Sequence, residues 1–229
     1  MEVFIKGVLI DLCIPEESLI ETGLWVSWLN DIQRNIATRH AIFPKSKRSQ
    51  YKYLENLDGG SELTLIICDK NSNASGVISL QNIDQFNLTA SIAINNKPLD
   101  DELMPGFSSL EAFALMTTHA FRSMGLNSIT AGQNYCKLQS WNQLLSSIGY
   151  LPYGYLKGHL RSGFSFDDYV QIQISSQIYN HIVDLDNALL PSSDVIVKRL
   201  RRLRSSSYTK DFHVLVSQIE DAFLNNLRC

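Results

Sequence analysis

The chain lacks the basic excess of a general nucleic-acid binder: its formal net charge is −3 over 229 residues, whereas phosphate neutralisation calls for clustered Lys and Arg. It contains no apolar run long enough to span a bilayer, and its opening residues show no basic-then-apolar leader. The four cysteines, Cys13, Cys68, Cys136 and Cys229, form no C-x-x-C pair and have no histidine cluster beside them. Metal ligation is therefore not expected, and the thiols read as reduced and mostly buried. There is no internal repeat and no low-complexity tract. These absences predict a cytoplasmic protein with no metal, no nucleic-acid partner and no membrane partner.

What is present is enough for one full core. Apolar residues make up 45% of the chain, with ten Phe, nine Tyr and three Trp, an ordinary globular composition. Phe4 to Ile14 reads as a first strand ended by Pro15. From Glu17 the pattern turns helical, with Trp25, Trp28, Leu29 and Ile32 on one stripe. A second helix runs from Ser46 to Leu57 and stops at Asp58-Gly59-Gly60. Strands follow at 63–68, 77–80 and 88–94, the last with Leu88, Ala90, Ile92 and Ile94 on one face. A long helix through Leu110, Phe113, Ala114, Thr117 and Phe121 closes at Gly125. Then come a strand at 127–133, a helix at 140–147 ended by Gly149, and strands at 153–160 and 169–175. The order predicts a mixed α/β domain over residues 1–183, its sheet mostly antiparallel and flanked by helices. Residues 184–229 read as a C-terminal helical extension, packed on that domain or on a second copy of the chain.

One junction stands out. Pro105-Gly106-Phe107-Ser108-Ser109 leads into the long helix, and Ser108 with Glu111 has the S-x-x-E spacing of a capping box. Small residues there leave backbone N–H groups at the positive end of a helix dipole, a place that can hold a diphosphate. An ordinary loop-to-helix cap accounts for the same residues.

Several local signatures agree in order and spacing. Trp25 to Asp31 with Phe43-Pro44-Lys45-Ser46 resembles the opening of the GCN5-related N-acetyltransferase superfamily, on the branch of ribosomal-protein and amino-sugar acetyltransferases. Gly76 to Leu80, Ala90 to Ile94, Glu111-Ala112, His119-Ala120-Phe121 and Ile148-Gly149-Tyr150 match its later elements, so the resemblance covers about residues 4–176. It implies a sheet splayed at its centre, an acyl-CoA donor and a primary amine acceptor. In that arrangement the pantetheine arm lies along Ile92, Ala93 and Ile94 and the diphosphate on Gly106, Phe107, Ser108 and Ser109. Trp141, on the helix bordering the thiol, completes the cofactor side. Two departures stand out: Met104, Phe107 and Ser109 occupy the positions of the usual Gln/Arg-Gly-Gly/Ala loop, and Ser91 replaces a common strand carboxylate. An inactive relative or a different acyl group stays open for that reason.

Aminolysis of a thioester needs a proton acceptor. Asp84, between two central strands, and His40, in an acceptor-side loop, are the catalytic candidates. An Asp in such a connection equally binds its own backbone. Gln133, Asn134 and Tyr135 are candidate acceptor-binding residues. The expected activity is therefore CoA-dependent N-acylation of a primary amine, most naturally on a nucleotide-linked amino sugar. The alternatives are a protein Nα-acetyltransferase of the ribosomal-protein type and a non-catalytic CoA-binding module. The last helices suggest a homodimer contact.

Overall fold

A computed structural model describes residues 1–32, 35, 43–57, 60–97, 106–135, 137–162, 165–205 and 218. Its centre is an eight-stranded sheet. The strands are β1 (Val3–Lys6), β2 (Ile10–Cys13), β3 (Leu63–Asp69), β4 (Ala74–Asp84), β5 (Thr89–Asn96), β6 (Ser128–Asn134), β7 (Leu151–Ser162) and β8 (Ser165–Ser175). They lie in the order β1-β2-β3-β4-β5-β6-β8-β7, and every neighbouring pair is antiparallel except β5–β6.

The expected first strand is in fact the hairpin β1–β2. Its turn is fastened from outside. Glu111, buried in the long helix, accepts hydrogen bonds from the Val8, Leu9 and Ile10 amides at 2.6, 2.8 and 3.1 Å. Lys70 Nζ donates to the Gly7 carbonyl and the Asp11 carboxylate, each at 2.7 Å. Gly7 has no room for a side chain, since a Cβ would meet the Ile10 carbonyl at 2.4 Å.

The helix expected from Glu17 is split. Gly23, with φ of 80°, separates α1 (Ser18–Glu21) from α2 (Leu24–Asn30). Trp25, Trp28 and Leu29 are buried as the stripe requires, whereas Ile32 lies beyond the helix and is exposed. Next, α3 (Lys47–Glu55) has a capping box made by Ser46 and Ser49. These helices cover one face of β2 and β3 through a core of Ile20, Trp25, Trp28, Ile66 and Cys68.

On the other face lie α4 (Phe107–Arg122), α5 (Gln139–Ser147) and α6 (Ser176–Asp186). They enclose the larger core, which includes Leu65, Ile67, Ile78, Leu80, Ile92, Phe113, Ile129, Leu145, Tyr150 and Ile172. Because β3 is covered on both sides, it reads as an unbroken apolar run from Leu65 to Cys68. Helix α6 was not expected from the sequence. Ser175 caps it, Tyr179 stacks on Phe121 with ring centroids 4.7 Å apart, and Ile178 and Ile182 close over Gly149. Finally, α7 (Ser193–Ser205) lies against α5: Ile196 is buried, and Arg199 reaches the Ser147 carbonyl at 2.8 Å and pairs with Asp186. The rest of the expected extension lies outside the described residues, Gln218 excepted. Among the described residues no helix is long and apolar enough to cross a membrane.

Candidate active site

The parallel pair at the middle of the sheet is short. β5 and β6 meet only at Thr89–Ser128, Ala90–Ile129 and Ser91–Thr130, although β5 continues to Asn96 and β6 to Asn134. Past Ser91 the two strands part. Among the described residues, the edge of β5 from Ile92 to Asn96 then has no strand beside it on that side, while its other edge stays paired to β4. Such an edge can hydrogen-bond an extended chain of amides.

The wedge leads to the start of α4. Asn96, the last residue of β5, donates to Ser109 Oγ at 3.0 Å and accepts from Ser75 Oγ at 2.8 Å, which ties the strand end to the first turn of the helix. Gly106 enters the helix with φ of 84°, a conformation that favours glycine. The helix begins two residues earlier than the spacing predicted, with Gly106 rather than Ser108 as its N-cap, and the Ser108–Glu111 capping box does not form. Ser108 is fully buried, and Glu111 spends its carboxylate on the β1–β2 turn instead. Phe107 packs on the main core. A groove of about 480 Å³ opens here, lined by Gly106, Lys137, Leu138, Gln139, Ser140, Trp141 and Leu144. It therefore lies between the N-terminal ends of α4 and α5. Trp141 is both wall and anchor, half-buried with its ring edge-on to Phe113 at 5.8 Å.

The expected acceptor residues are largely committed to the fold. Asn134 is 2% exposed; its amide donates to Asp167 at 2.8 Å and its carbonyl accepts the Lys137 amide at 2.8 Å. It holds the β6–α5 connection rather than facing an acceptor. Gln133 donates to Asn142 of α5, and Tyr135 packs edge-on to Tyr155 at 5.4 Å.

Asp84 is placed away from the wedge. It pairs in register with Thr89, at the end where β5 and β6 are still joined. Its Oδ1 accepts the Phe86 and Asn87 amides at 2.8 and 2.9 Å, and its Oδ2 accepts the Asn87 side chain at 2.7 Å. Asp69 builds the β3–β4 turn in the same way, through Asn71 and Asn73. The Asn87 bonds hold the Asp84 carboxyl below the usual range, which makes it a turn former and a poor proton acceptor. His40 lies outside the described residues.

On the face of the sheet away from α4 the wedge meets groups that, Ser91 apart, sequence reasoning passed over. Gln81, Ser91, Thr130 and Gln173 stand in register across β4, β5, β6 and β8, all half-exposed. Ser91 and Thr130 hydroxyls lie 3.2 Å apart on the last shared rung. At one end of this row Gln81 Nε2 approaches Glu62 Oε1 at 3.4 Å, and the Tyr53 hydroxyl of α3 donates to the same oxygen. Burial first, then Glu62, pushes the Tyr53 phenol up, so it stays a donor. On the divergent part of β6, the Tyr169 ring lies across Gly132, where a Cβ would fall 1.6 Å from the phenol oxygen. A glycine inside a strand was the one available sequence signal for this close approach. Among the described residues no group of His, Cys, Asp and Glu could hold a metal ion.

Comparison with solved structures identifies the fold. A spermidine N-acetyltransferase from Vibrio cholerae, solved with CoA and spermine, superposes with a TM-score of 0.66 at 15% identity, covering 76% of this chain and 99% of its own. RimL, a ribosomal L7/L12 α-N-protein acetyltransferase solved with CoA, gives 0.64 at 15% identity, covering 76% and 98%. RimJ from Mycobacterium smegmatis gives 0.59 at 16% identity, covering 77% and 88%. No family model and no curated protein matches the chain. The shared architecture is the one that the resemblance implied.

Proposed function

We propose that this chain, which has the fold of the GCN5-related N-acetyltransferases, moves an acyl group from an acyl-CoA thioester to a primary amine. The observation that carries the reading is the three-rung β5–β6 pair, which opens directly toward the groove at the start of α4. A pantetheine arm laid along Ile92, Ala93 and Ile94 would take up the backbone groups that β6 leaves, and its diphosphate would reach Gly106 and the first turn of α4. Phe107, Ser108 and Ser109 contribute through their backbone, because Ser108 is enclosed and the Ser109 hydroxyl is already bonded to Asn96. Trp141 and Lys137 flank the groove and suit the nucleotide and its phosphates. The thioester then arrives beside Ser91 and Thr130, and the amine approaches from the opposite face.

Positioning supplies much of the rate in such a transfer, because a thiolate leaves readily. The neutral row of Gln81, Ser91, Thr130 and Gln173 suits an acceptor rich in hydroxyls, and an amino sugar, free or nucleotide-linked, meets that description. The solved relatives include a spermidine acetyltransferase and a ribosomal-protein Nα-acetyltransferase, so polyamines and peptide N-termini belong in the same acceptor panel. Release of CoA thiol from acetyl-CoA and longer acyl-CoAs, followed over that panel, tests the proposal. Trp141→Ala is expected to raise KM for the acyl-CoA about tenfold, the loss of one aromatic contact. A chain that no CoA stabilises against heat and that releases no thiol with any amine is not a transferase.

A further inference from the structure

Counting on from the last shared rung, Ser91–Thr130, the parallel register sets Ala93 of β5 against Gly132 of β6 across the opening. Both positions belong to inner strands of the sheet, yet both are exposed. The period of two puts them on the face that carries Ser91 and Thr130, away from α4. A methyl group and a hydrogen are the smallest side chains there are, so neither strand fills the opening at this level. Tyr169 reaches it from the next strand. It stands on β8 opposite Asn134, and its ring leans diagonally over β6. A Cβ at Gly132 would fall 1.6 Å from the phenol oxygen and 2.1 Å from the ring carbon that bears it. Gln171, the register partner of Gly132, lies the other way, over Gly154 of β7, where a Cβ would meet its Oε1 at 2.5 Å. The space above Gly132 therefore goes to the phenol. The imidazole of His159 on β7 lies beside the same ring, with centroids 5.3 Å apart. Tyr169 is half-exposed, which makes the ring a wall of the opening and not part of the core.

We infer that Tyr169 is a donor-specificity residue whose phenol sets how large an acyl group the opening takes. The inference rests on the transferase reading for the path of the pantetheine arm. It adds what that reading leaves open, the limit on acyl size and the side chain that imposes it. A thioester beside Ser91 and Thr130 has no room to extend its acyl chain further between β5 and β6, because there the strands are paired. Toward α4 the chain meets the buried side chains of Ile92 and Ile129. The remaining direction is the face of Ala93 and Gly132, and the phenol stands over it. A short acyl group occupies the space that the two small residues leave. Each further methylene has to push the ring off Gly132 and against His159. No bond forms or breaks at Tyr169, which acts through fit alone.

A series of straight-chain acyl-CoAs from acetyl to octanoyl, paired with the best amine of the acceptor panel, tests this in the full chain. In the wild type, kcat/KM is expected to fall about tenfold with each of the first added methylenes. Tyr169→Ala is expected to move the optimum to longer chains and to raise the hexanoyl-to-acetyl ratio about a hundredfold. Affinity for CoA itself, which carries no acyl group, should stay within about twofold. Ala93→Val narrows the same space from the opposite strand, with a residue that strands favour. It should steepen the fall with chain length, and adding Tyr169→Ala should undo the steepening. An acyl profile that Tyr169→Ala leaves unchanged overturns the assignment. So does a loss shared equally by CoA and every acyl-CoA, the mark of a ring that only supports the fold. Calorimetric titration of the same acyl-CoAs without amine separates the two readings. A chain-length limit on binding that Tyr169→Ala lifts, in a chain that releases no thiol with any amine, supports the wall and refutes the transferase. Turnover with a flat acyl profile refutes the wall and supports the transferase. A chain that binds no acyl-CoA refutes both.

Discussion

From β1 to β4 the sheet carries helices over both faces of its middle strands, whereas from β5 to β8 its polar face is half-exposed. The two regions use their side chains differently. β3 spends consecutive residues on two cores, Leu65 and Ile67 on one and Ile66 and Cys68 on the other. β8 alternates, with Val170, Ile172 and Ile174 buried and Gln171 and Gln173 half-exposed. Carboxylates follow the same division. Glu111 is buried and fastens the β1–β2 turn, while Glu62 is half-buried where the covered region gives way to the open one and accepts from the Tyr53 hydroxyl. One region holds the fold, and the other offers surface.

The largest effect should come from breaking the covered region at its fastening. Glu111→Ala removes a buried acceptor from three amides, and a loss of about 3–5 kcal/mol is expected. Urea unfolding checks this, and a loss under about 1 kcal/mol would mean that the hairpin finds other partners. A smaller effect, confined to the open region, is expected from Gly132→Ala. Forcing a methyl group against the Tyr169 ring costs about 1–3 kcal/mol. Adding Tyr169→Ala should recover most of that loss, and a double-mutant cycle with strictly additive terms would show that the ring does not depend on the glycine.

The smallest effect sharpens the contrast between a carboxylate that closes its own turn, Asp84, and one that fastens a distant hairpin, Glu111. Asp84→Asn should leave kcat/KM within about twofold, because Asp84 sits at the joined end of β5. Its folded-state pKa is depressed, so its contribution to stability is complete above the ordinary Asp range and fades as pH falls through the folded value. Removing the titrating group should therefore lower stability slightly at neutral pH, leave it nearly unchanged at low pH, and so flatten the acid limb of the stability curve.

Much of the fold was legible because local rules and tertiary packing agree over most of it. The stripe from Leu110 to Phe121, the turn at Gly125 and the alternation in β8 each name their element directly. Where tertiary contacts override the local pattern, the reading went astray. Glu111 has the spacing of a capping residue but serves a hairpin a hundred residues away. Gly23 looks like an interior glycine and instead resets the helix. Leu88 reads as the start of the strand, yet it adopts φ of 55° and its carbonyl accepts the Asn127 amide before β5 begins. The candidate site was legible on its donor side, where Gly106 and Trp141 line a single groove. The acceptor side was not, because Tyr53, Glu62, Gln81, Ser91 and Thr130 meet only through sheet register. No spacing along the chain announces that row.

The brevity of the β5–β6 junction has a mechanical meaning as well. Among the described residues three rungs stitch the two parts of the sheet together, so a seam runs through its middle. Whatever amide chain settles in that opening serves as a ninth strand for part of its length. Under the proposed function, occupancy and rigidity would become one event, with the donor helping to build the scaffold that acts on it.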